Sequence, residues 1–251
     1  MKRQSILVIP DVHGRDFWKK PCEEQIDQVD SIVFLGDYLD PYEYEHISRK
    51  QAYKNFDQVI AFKQAHPHKV TLLIGNHDLH YMYKDMPLCT RYDEAFAFLA
   101  EEKFAQAAGL FQLAYTCEMG DRHYLFTHAG VTSGWYNAHQ QEVGTLTADS
   151  LNALCTPEHC SDALQDVSFL RGGDAMCGSP VWADVREMLA DETKGRNIPN
   201  YFQVFGHTQL DNQIITDTFA CLDCRRAFVI ISPPRDRGDF LVSSEPGHSN
   251  F

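Results

Sequence analysis

The chain has 251 residues, of which 44% are hydrophobic and 23% charged, and its Asp+Glu 35 against Lys+Arg 22 leave a formal net charge of −13. At this length folding buries roughly 70–75% of the unfolded surface, so one large α/β domain over residues 1–251 is expected. The acidic excess argues against a nucleic-acid partner or an anionic-membrane surface, which need basic patches, but leaves room for a local anion site where bound cations reverse the field.

Residues 5–9, 31–35 and 69–74 are short apolar runs, each ending in a polar Gly- or Pro-bearing loop. Helical periodicity fills residues 15–28 and 48–65 between them, the pattern of parallel βαβ units. Residues 79–108 read as one helical stretch with Tyr81, Phe96, Phe98, Leu99 and Phe104 as its buried positions. A hairpin of 110–117 and 123–127 follows, then helices and loops to about residue 190, including the turn Arg171-Gly172-Gly173. The last third is strand-rich at 201–205, 213–216, 219–222 and 227–231, and the tail from Pro233 is expected to be peripheral.

No apolar run approaches the about 20 residues of a membrane span, and no signal-like stretch follows Met1-Lys2-Arg3, so a cytoplasmic chain is expected. The 8 cysteines are scattered, which suits reduced thiols in a chain this long. Cys221 and Cys224 have C-x-x-C spacing, with Cys155 and Cys160 as conceivable partners in a zinc knot. The irregular second spacing and the strand-forming surroundings of the first pair speak against it.

Five apolar runs end in chemically similar turns: Pro10-Asp11-Val12-His13-Gly14, Gly36-Asp37-Tyr38-Leu39-Asp40, Gly75-Asn76-His77-Asp78, Thr127-His128-Ala129-Gly130 and Phe205-Gly206-His207-Thr208. Each alone is as well explained as an ordinary turn or helix cap. In an open α/β sheet, however, the loops at the carboxyl ends of the strands form the ligand crevice, so these side chains are expected to converge. Carboxylates, imidazoles and a carboxamide make a mixed N/O donor set for divalent ions. Clustered without metal, Asp11 and Asp37 would repel; two ions sharing one carboxylate relieve that cost and form a site for phosphoryl chemistry. The other histidines, His46, His66, His68, His80, His123, His139, His159 and His248, stand in polar surroundings and are expected at the surface.

In order, D-x-H, G-D-x-x-D, G-N-H-D, a later H and then G-H resemble the calcineurin-like metallophosphoesterase superfamily, from Asp11 to His207. The segments 127–130, 179–184 and 205–208 look most like its phosphoprotein-phosphatase branch, which includes serine/threonine phosphatases and diadenosine tetraphosphatases. The resemblance implies a four-layer αββα sandwich with two mixed β-sheets. It implies that Asp11 and His13 hold a first metal, that Asp37 bridges, and that Asn76, His128 and His207 complete a second. A bridging hydroxide would attack phosphorus while His77, oriented by Asp40 and kept protonated by it, protonates the leaving oxygen. Manganese is the expected metal, with iron or zinc compatible with the same donors.

Three departures concern phosphate recognition. The phosphatase branch usually has Arg-Gly where Pro41-Tyr42 stand, Arg where Ile74 stands and Arg where Phe205 stands. Gln209 replaces the second histidine that the wider superfamily has after G-H. A substitute phosphate-binding cation is therefore expected, with Arg171 the first candidate and Arg186 or Arg15 next. The expected function is hydrolysis of a phosphomonoester, on a small molecule, a nucleotide or a phosphoprotein. The alternatives are a diadenosine tetraphosphate or nucleotide pyrophosphohydrolase, and a non-catalytic metal-binding scaffold, which would have no need of His77 and Asp40.

Overall fold

The computed structural model describes residues 4–232 and 240–242. In chain order the first elements are β1 (Gln4–Ile9), α1 (Lys19–Gln25), β2 (Ser31–Phe34), α2 (Arg49–Ala65), β3 (Val70–Leu73), α3 (Asn76–Met82), α4 (Glu94–Ala107) and β4 (Phe111–Gln112). The middle holds β5 (Tyr115–Met119), β6 (Arg122–Phe126), α5 (Ser133–Ala138), α6 (Gln140–Val143), α7 (Ala148–Asn152) and α8 (Val185–Thr193). The chain then forms β7 (Phe202–Phe205), β8 (Ile214–Ile215), β9 (Phe219–Cys221), β10 (Phe228–Ser232) and β11 (Phe240–Val242).

The strands form two mixed sheets. One has the order β11-β10-β1-β2-β3-β4, with β1 to β4 parallel and β10 antiparallel to β1. The other is β5-β6-β7-β9-β8, with β6, β7 and β9 parallel. Alternation along β1 explains the layering. Ile6 and Val8 pack with Val33, Phe126 and Val204 between the sheets. Leu7 and Ile9 face the other way, onto Phe56 and Val59 of α2 and Phe104 of α4. On the far side of the second sheet, Leu125 packs against Trp135 and Leu151, and Phe205 against Met188. Helices therefore cover both outer faces, giving the four layers that the motifs imply, and each fully buried Leu, Ile or Phe contributes about 1.5–3 kcal/mol.

Several sequence expectations change. The helix expected over 15–28 is confined to α1, because Pro21 lacks an N–H and is tolerated only in a first turn. The stretch 79–108 is broken between α3 and α4 by a loop containing Pro87. On α4 the buried stripe is Ala97, Ala100, Phe104 and Ala107, whereas Phe98 is 74% exposed and Leu99 41% exposed. Small side chains let α4 approach its neighbours, and the larger apolar residues fall on its outer face. Cys155 and Cys160 are joined as a disulfide across a local antiparallel bridge, not reduced. The zinc knot is not formed: Cys221 packs with Phe205 and Phe219, and Cys224 lies in the core between the sheets. Of the tail from Pro233, β11 lies at a sheet edge, and residues 233–239 and 243–251, including His248, lie outside the described residues. No helix among the described residues is long and apolar enough to cross a membrane.

Candidate metal centre

All five chemical turns follow the carboxyl ends of parallel strands: β1, β2 and β3 in one sheet and β6 and β7 in the other. Their backbones are bent sharply to aim side chains inward. His13, Asp37, Asp40 and His207 all have positive φ, at 44°, 54°, 57° and 63°, a conformation that costs non-glycine residues of order 1–3 kcal/mol each. Hydrogen bonds between the turns hold them there: His13 N–H donates to Asp37 O at 2.6 Å, and Gly206 N–H to His128 O at 2.8 Å. Asp78 is the anchor of two turns, accepting from the N–H groups of Asp37 (2.7 Å), Tyr38 (3.0 Å) and Gly75 (2.8 Å). Gly75 and Gly206 have a steric reason, since a Cβ at either would collide with the carboxylate of Asp37 or Asp11.

Each carboxylate has one oxygen tied to the backbone. Asp11 Oδ1 accepts from His207 N–H at 3.0 Å and Asp37 Oδ1 from His77 N–H at 2.9 Å. Two ligand-like clusters then share one residue: Asp11, His13 and Asp37, and Asp37, His128 and His207. Asp37 Oδ2 lies 3.4 Å from His13 Nε2 and 3.5 Å from His128 Nε2. The tautomers follow from the partners, because a carbonyl can only accept. His13 Nδ1 donates to Leu39 O (2.8 Å) and His128 Nδ1 to Leu35 O (2.7 Å), so each ring in its neutral form presents the Nε2 lone pair to the centre. Asn76 donates Nδ2–H to Cys89 Sγ at 3.1 Å, which turns its Oδ1 to within 3.0 Å of His128 Nε2.

Acceptors therefore face acceptors. Asp37 Oδ2, Asn76 Oδ1, the two Nε2 atoms and His207 Nδ1, which lies 3.1 Å from His128 Nε2, crowd one buried space. Cationic groups satisfy such a set, as Arg91 Nη2 does 3.2 Å from His13 Nε2, and its mix of imidazole, carboxylate and carboxamide fits borderline and hard divalent ions. Charge state agrees: burial pushes His13 and His207 well below their usual range, keeping them neutral. Burial also raises Asp11 and Asp37, the latter to about 8, as expected of carboxylates held away from water without counter-charge.

Beside this set, His77 Nδ1 meets Asp40 Oδ2 at 2.8 Å, and Tyr81 OH donates to Asp40 Oδ1 at 2.6 Å. Burial raises Asp40, but its histidine neighbours outweigh burial and hold the carboxyl at about 2. For His77 the balance goes the other way: burial lowers it to about 4 despite Asp40, so the carboxylate alone does not keep it protonated. His80 is not at the surface. It is 4% exposed, with Nε2 approaching Asp40 Oδ2 obliquely at 3.0 Å and Nδ1 accepting from Cys89 N–H at 3.2 Å. Three residues one helical turn apart, His77, His80 and Tyr81, thus close on one carboxylate.

The family model described as calcineurin-like phosphoesterase matches residues 5–208. The chain belongs to that family. No curated protein sequence matches it. Among solved structures, a protein serine/threonine phosphatase from Saccharomyces cerevisiae is 14% identical, with a TM-score of 0.52 over 95% of this chain and 78% of that one. A metallophosphoesterase from Sphaerobacter thermophilus is 14% identical, with a TM-score of 0.42 over 92% of this chain and 83% of that one. An archaeal phosphodiesterase is 10% identical, with a TM-score of 0.37 over 95% and 98%. The first of these likenesses shows a shared fold.

In this calcineurin-like phosphoesterase the centre opens into a cavity of about 550 Å³, walled by Tyr42 and residues 87–91 on one side and by residues 171–174 and Trp182 on the other. Ile74 and Phe205, at two of the positions without arginine, are buried. Arg171 does line the cavity, donating to Thr208 Oγ1 (2.6 Å) and His207 O (3.2 Å), but it pairs with Asp184 at 3.0 Å. Arg186 pairs with the same carboxylate, and Arg15 with Glu45 at 2.8 Å. Two further residues escaped the sequence reading. Arg91 sits over the centre, hidden by the helical pattern of residues 79–108; Pro87 is the signal that breaks that pattern. Asp223, two residues past β9, is 2% exposed at a further parallel strand end, masked in the sequence by the C-x-x-C spacing of Cys221 and Cys224.

Proposed function

We propose that the chain is a dinuclear-metal phosphomonoesterase. Asp11, His13 and Asp37 would hold one divalent ion, and Asp37, Asn76, His128 and His207 the other, with manganese the first expectation. The observation that carries this reading is the placement of Asp37 Oδ2, 3.4 and 3.5 Å from the Nε2 atoms of His13 and His128. When bound, such a pair of ions supplies an activated water and neutralises phosphoryl charge.

The remaining roles fall to the chain's own groups. Asp40 fixes the His77 ring so that Nε2 faces the cavity, with the ring proton on Nδ1. An incoming phosphoryl dianion favours the protonated ring, which then gives its Nε2 proton to the leaving oxygen. Arg171, held by Thr208 and Asp184, would contact the substrate away from the phosphorus. A metal-binding scaffold without turnover would leave the Asp40–His77 pair without purpose.

The test uses manganese-loaded protein with para-nitrophenyl phosphate, a phosphopeptide and diadenosine tetraphosphate, together with metal analysis of the protein and of Asp37→Asn. Two ions per chain, monoester turnover, and loss of both in the variant are expected. One ion or none in the parent protein under saturating manganese overturns the reading.

A further inference from the structure

Arg91 differs from the other arginines near the site in what answers its charge. Arg15 is paired with Glu45, and Arg171 and Arg186 share Asp184, but Arg91 has no carboxylate partner among the described residues. Its guanidinium lies 3.7 Å from the centre of the Tyr42 ring, and its Nε donates to the main-chain oxygen of Asp40 at 3.0 Å. Nη2 is 3.2 Å from both His13 Nε2 and His77 Nε2.

We propose that Arg91 is the phosphoryl-binding cation of this site and makes it selective for a terminal, dianionic phosphoryl group over a phosphodiester. This rests on the phosphomonoesterase reading above. The first support is location: Arg91 lines the cavity directly beside the metal-binding floor and the His77 edge. The second is the weakness of its present polar partners. Neutral ring nitrogens are poorer acceptors for a guanidinium than a charged phosphoryl oxygen, so an entering anion takes over those N–H groups.

Preorganisation is the third. The loop is pinned on both sides of Arg91, by the contacts of Cys89 with Asn76 and His80 and by the N–H of Asp93 donating to Tyr81 OH at 3.1 Å. Tyr42, in the pair Pro41-Tyr42 that replaces the Arg-Gly of the phosphatase branch, supplies the flat face on which the guanidinium rests. The local arginine is absent, with Pro41 at its position, and the next residue, Tyr42, is the platform for one arriving from another loop.

Selectivity follows from counting oxygens. A monoester phosphoryl group has three non-ester oxygens; two can face a pair of ions, and the third is left for Arg91. A diester has only two, so Arg91 finds no charged oxygen to bind and offers it little.

The experiment compares manganese-loaded parent protein with Arg91→Ala and Arg91→Lys, measuring metal content, inorganic phosphate binding by calorimetry, and kcat/KM for para-nitrophenyl phosphate and bis(para-nitrophenyl) phosphate. With two ions retained, Arg91→Ala should bind phosphate on the order of 10- to 100-fold more weakly and lose a similar factor in kcat/KM for the monoester. The diester should change by less than about threefold, and Arg91→Lys, which keeps the charge but not the planar fork, should fall between. Phosphate affinity within about threefold of the parent in both variants, or equal losses on the two esters, overturns the proposal. If Arg91→Ala does not fold, undiminished phosphate affinity in Arg91→Lys overturns it instead. Failure of the parent protein to hydrolyse either ester strikes the phosphomonoesterase reading, while the phosphate titration still decides the role of Arg91.

Discussion

Asn76 gives its side-chain N–H to the sulfur of Cys89 at 3.1 Å, and this contact decides which end of the carboxamide faces His128. Without it the amide is free to turn its nitrogen toward the centre, where a donor is useless to a cation. Cys89→Ala should therefore weaken manganese binding at the His128 side by roughly tenfold while leaving the His13 side unchanged, and Cys89→Ser should restore most of it. Titration of metal content against free manganese distinguishes the two sites. Equal affinity in parent and Cys89→Ala shows that the sulfur does not orient Asn76.

His77→Asn should separate binding from turnover. The asparagine keeps an N–H for Asp40, and the neighbouring Asn76 is untouched, so both ions should remain. Turnover should drop by roughly 10²–10⁴, the usual range for losing a general acid. The loss should shrink for esters with acidic leaving groups, which need less protonation. A series of aryl phosphates measures it, and an equal loss across the series argues against proton donation by His77.

Removal of metal should invert the pH dependence of stability. Burial raises Asp37 from its ordinary 3.8 to about 8 and raises Asp11 in the same direction. Above the ordinary histidine range, about 6.5, and up to about 8 the folded, metal-free chain binds carboxyl protons that the unfolded chain has already released, so its stability falls as pH rises through that window; below it the lowered His13, His77 and His207 contribute with the opposite sign. Bound cations require the deprotonated ligands, so the loaded protein should show the opposite slope. Urea midpoints at about pH 7 and about pH 9, where the histidines are neutral in both states, give both slopes with chelator and with manganese; a chelated protein that is more stable at the higher pH contradicts the expectation.

Asp78 carries stability rather than chemistry. Its two oxygens answer three buried N–H groups, those of Asp37, Tyr38 and Gly75. Asp78→Ala strands all three, at a cost of about 3 kcal/mol or more, and frees the turn that aims Asp37. Urea denaturation should show a lowered midpoint with an unchanged slope. Asp78→Asn, which keeps one acceptor, should lose less.

How far the sequence speaks depends on how local the signal is. Asp11, His13, Asp37, Asn76, His128 and His207 were legible because each directly follows an apolar run, and a strand end is a local property. Phe98 and Leu99 face outward because the inner face of α4 is three alanines and Phe104, so hydrophobicity along the helix points to the wrong side. The burial of His80 has no local sign in the sequence because its partners, Asp40 and Cys89, come from two other turns. Arg91 has the same origin: a residue in an irregular loop announces neither where it reaches nor whether a carboxylate waits for it.

The two ligand sets divide unevenly between the sheets. Asp11, His13, Asp37 and Asn76 leave strands β1, β2 and β3, whereas His128 and His207 leave β6 and β7. A cation seated among Asn76, His128 and His207 is therefore a rivet through both halves of the sandwich, and one held by Asp11 and His13 fastens a single half. Pulling the sheets apart must tear out the first kind and can spare the second. Under mechanical load or partial unfolding, the ion beside His128 should be the one whose departure coincides with separation of the layers, so that metal release reports on the docking of the sheets as directly as on the chemistry between them.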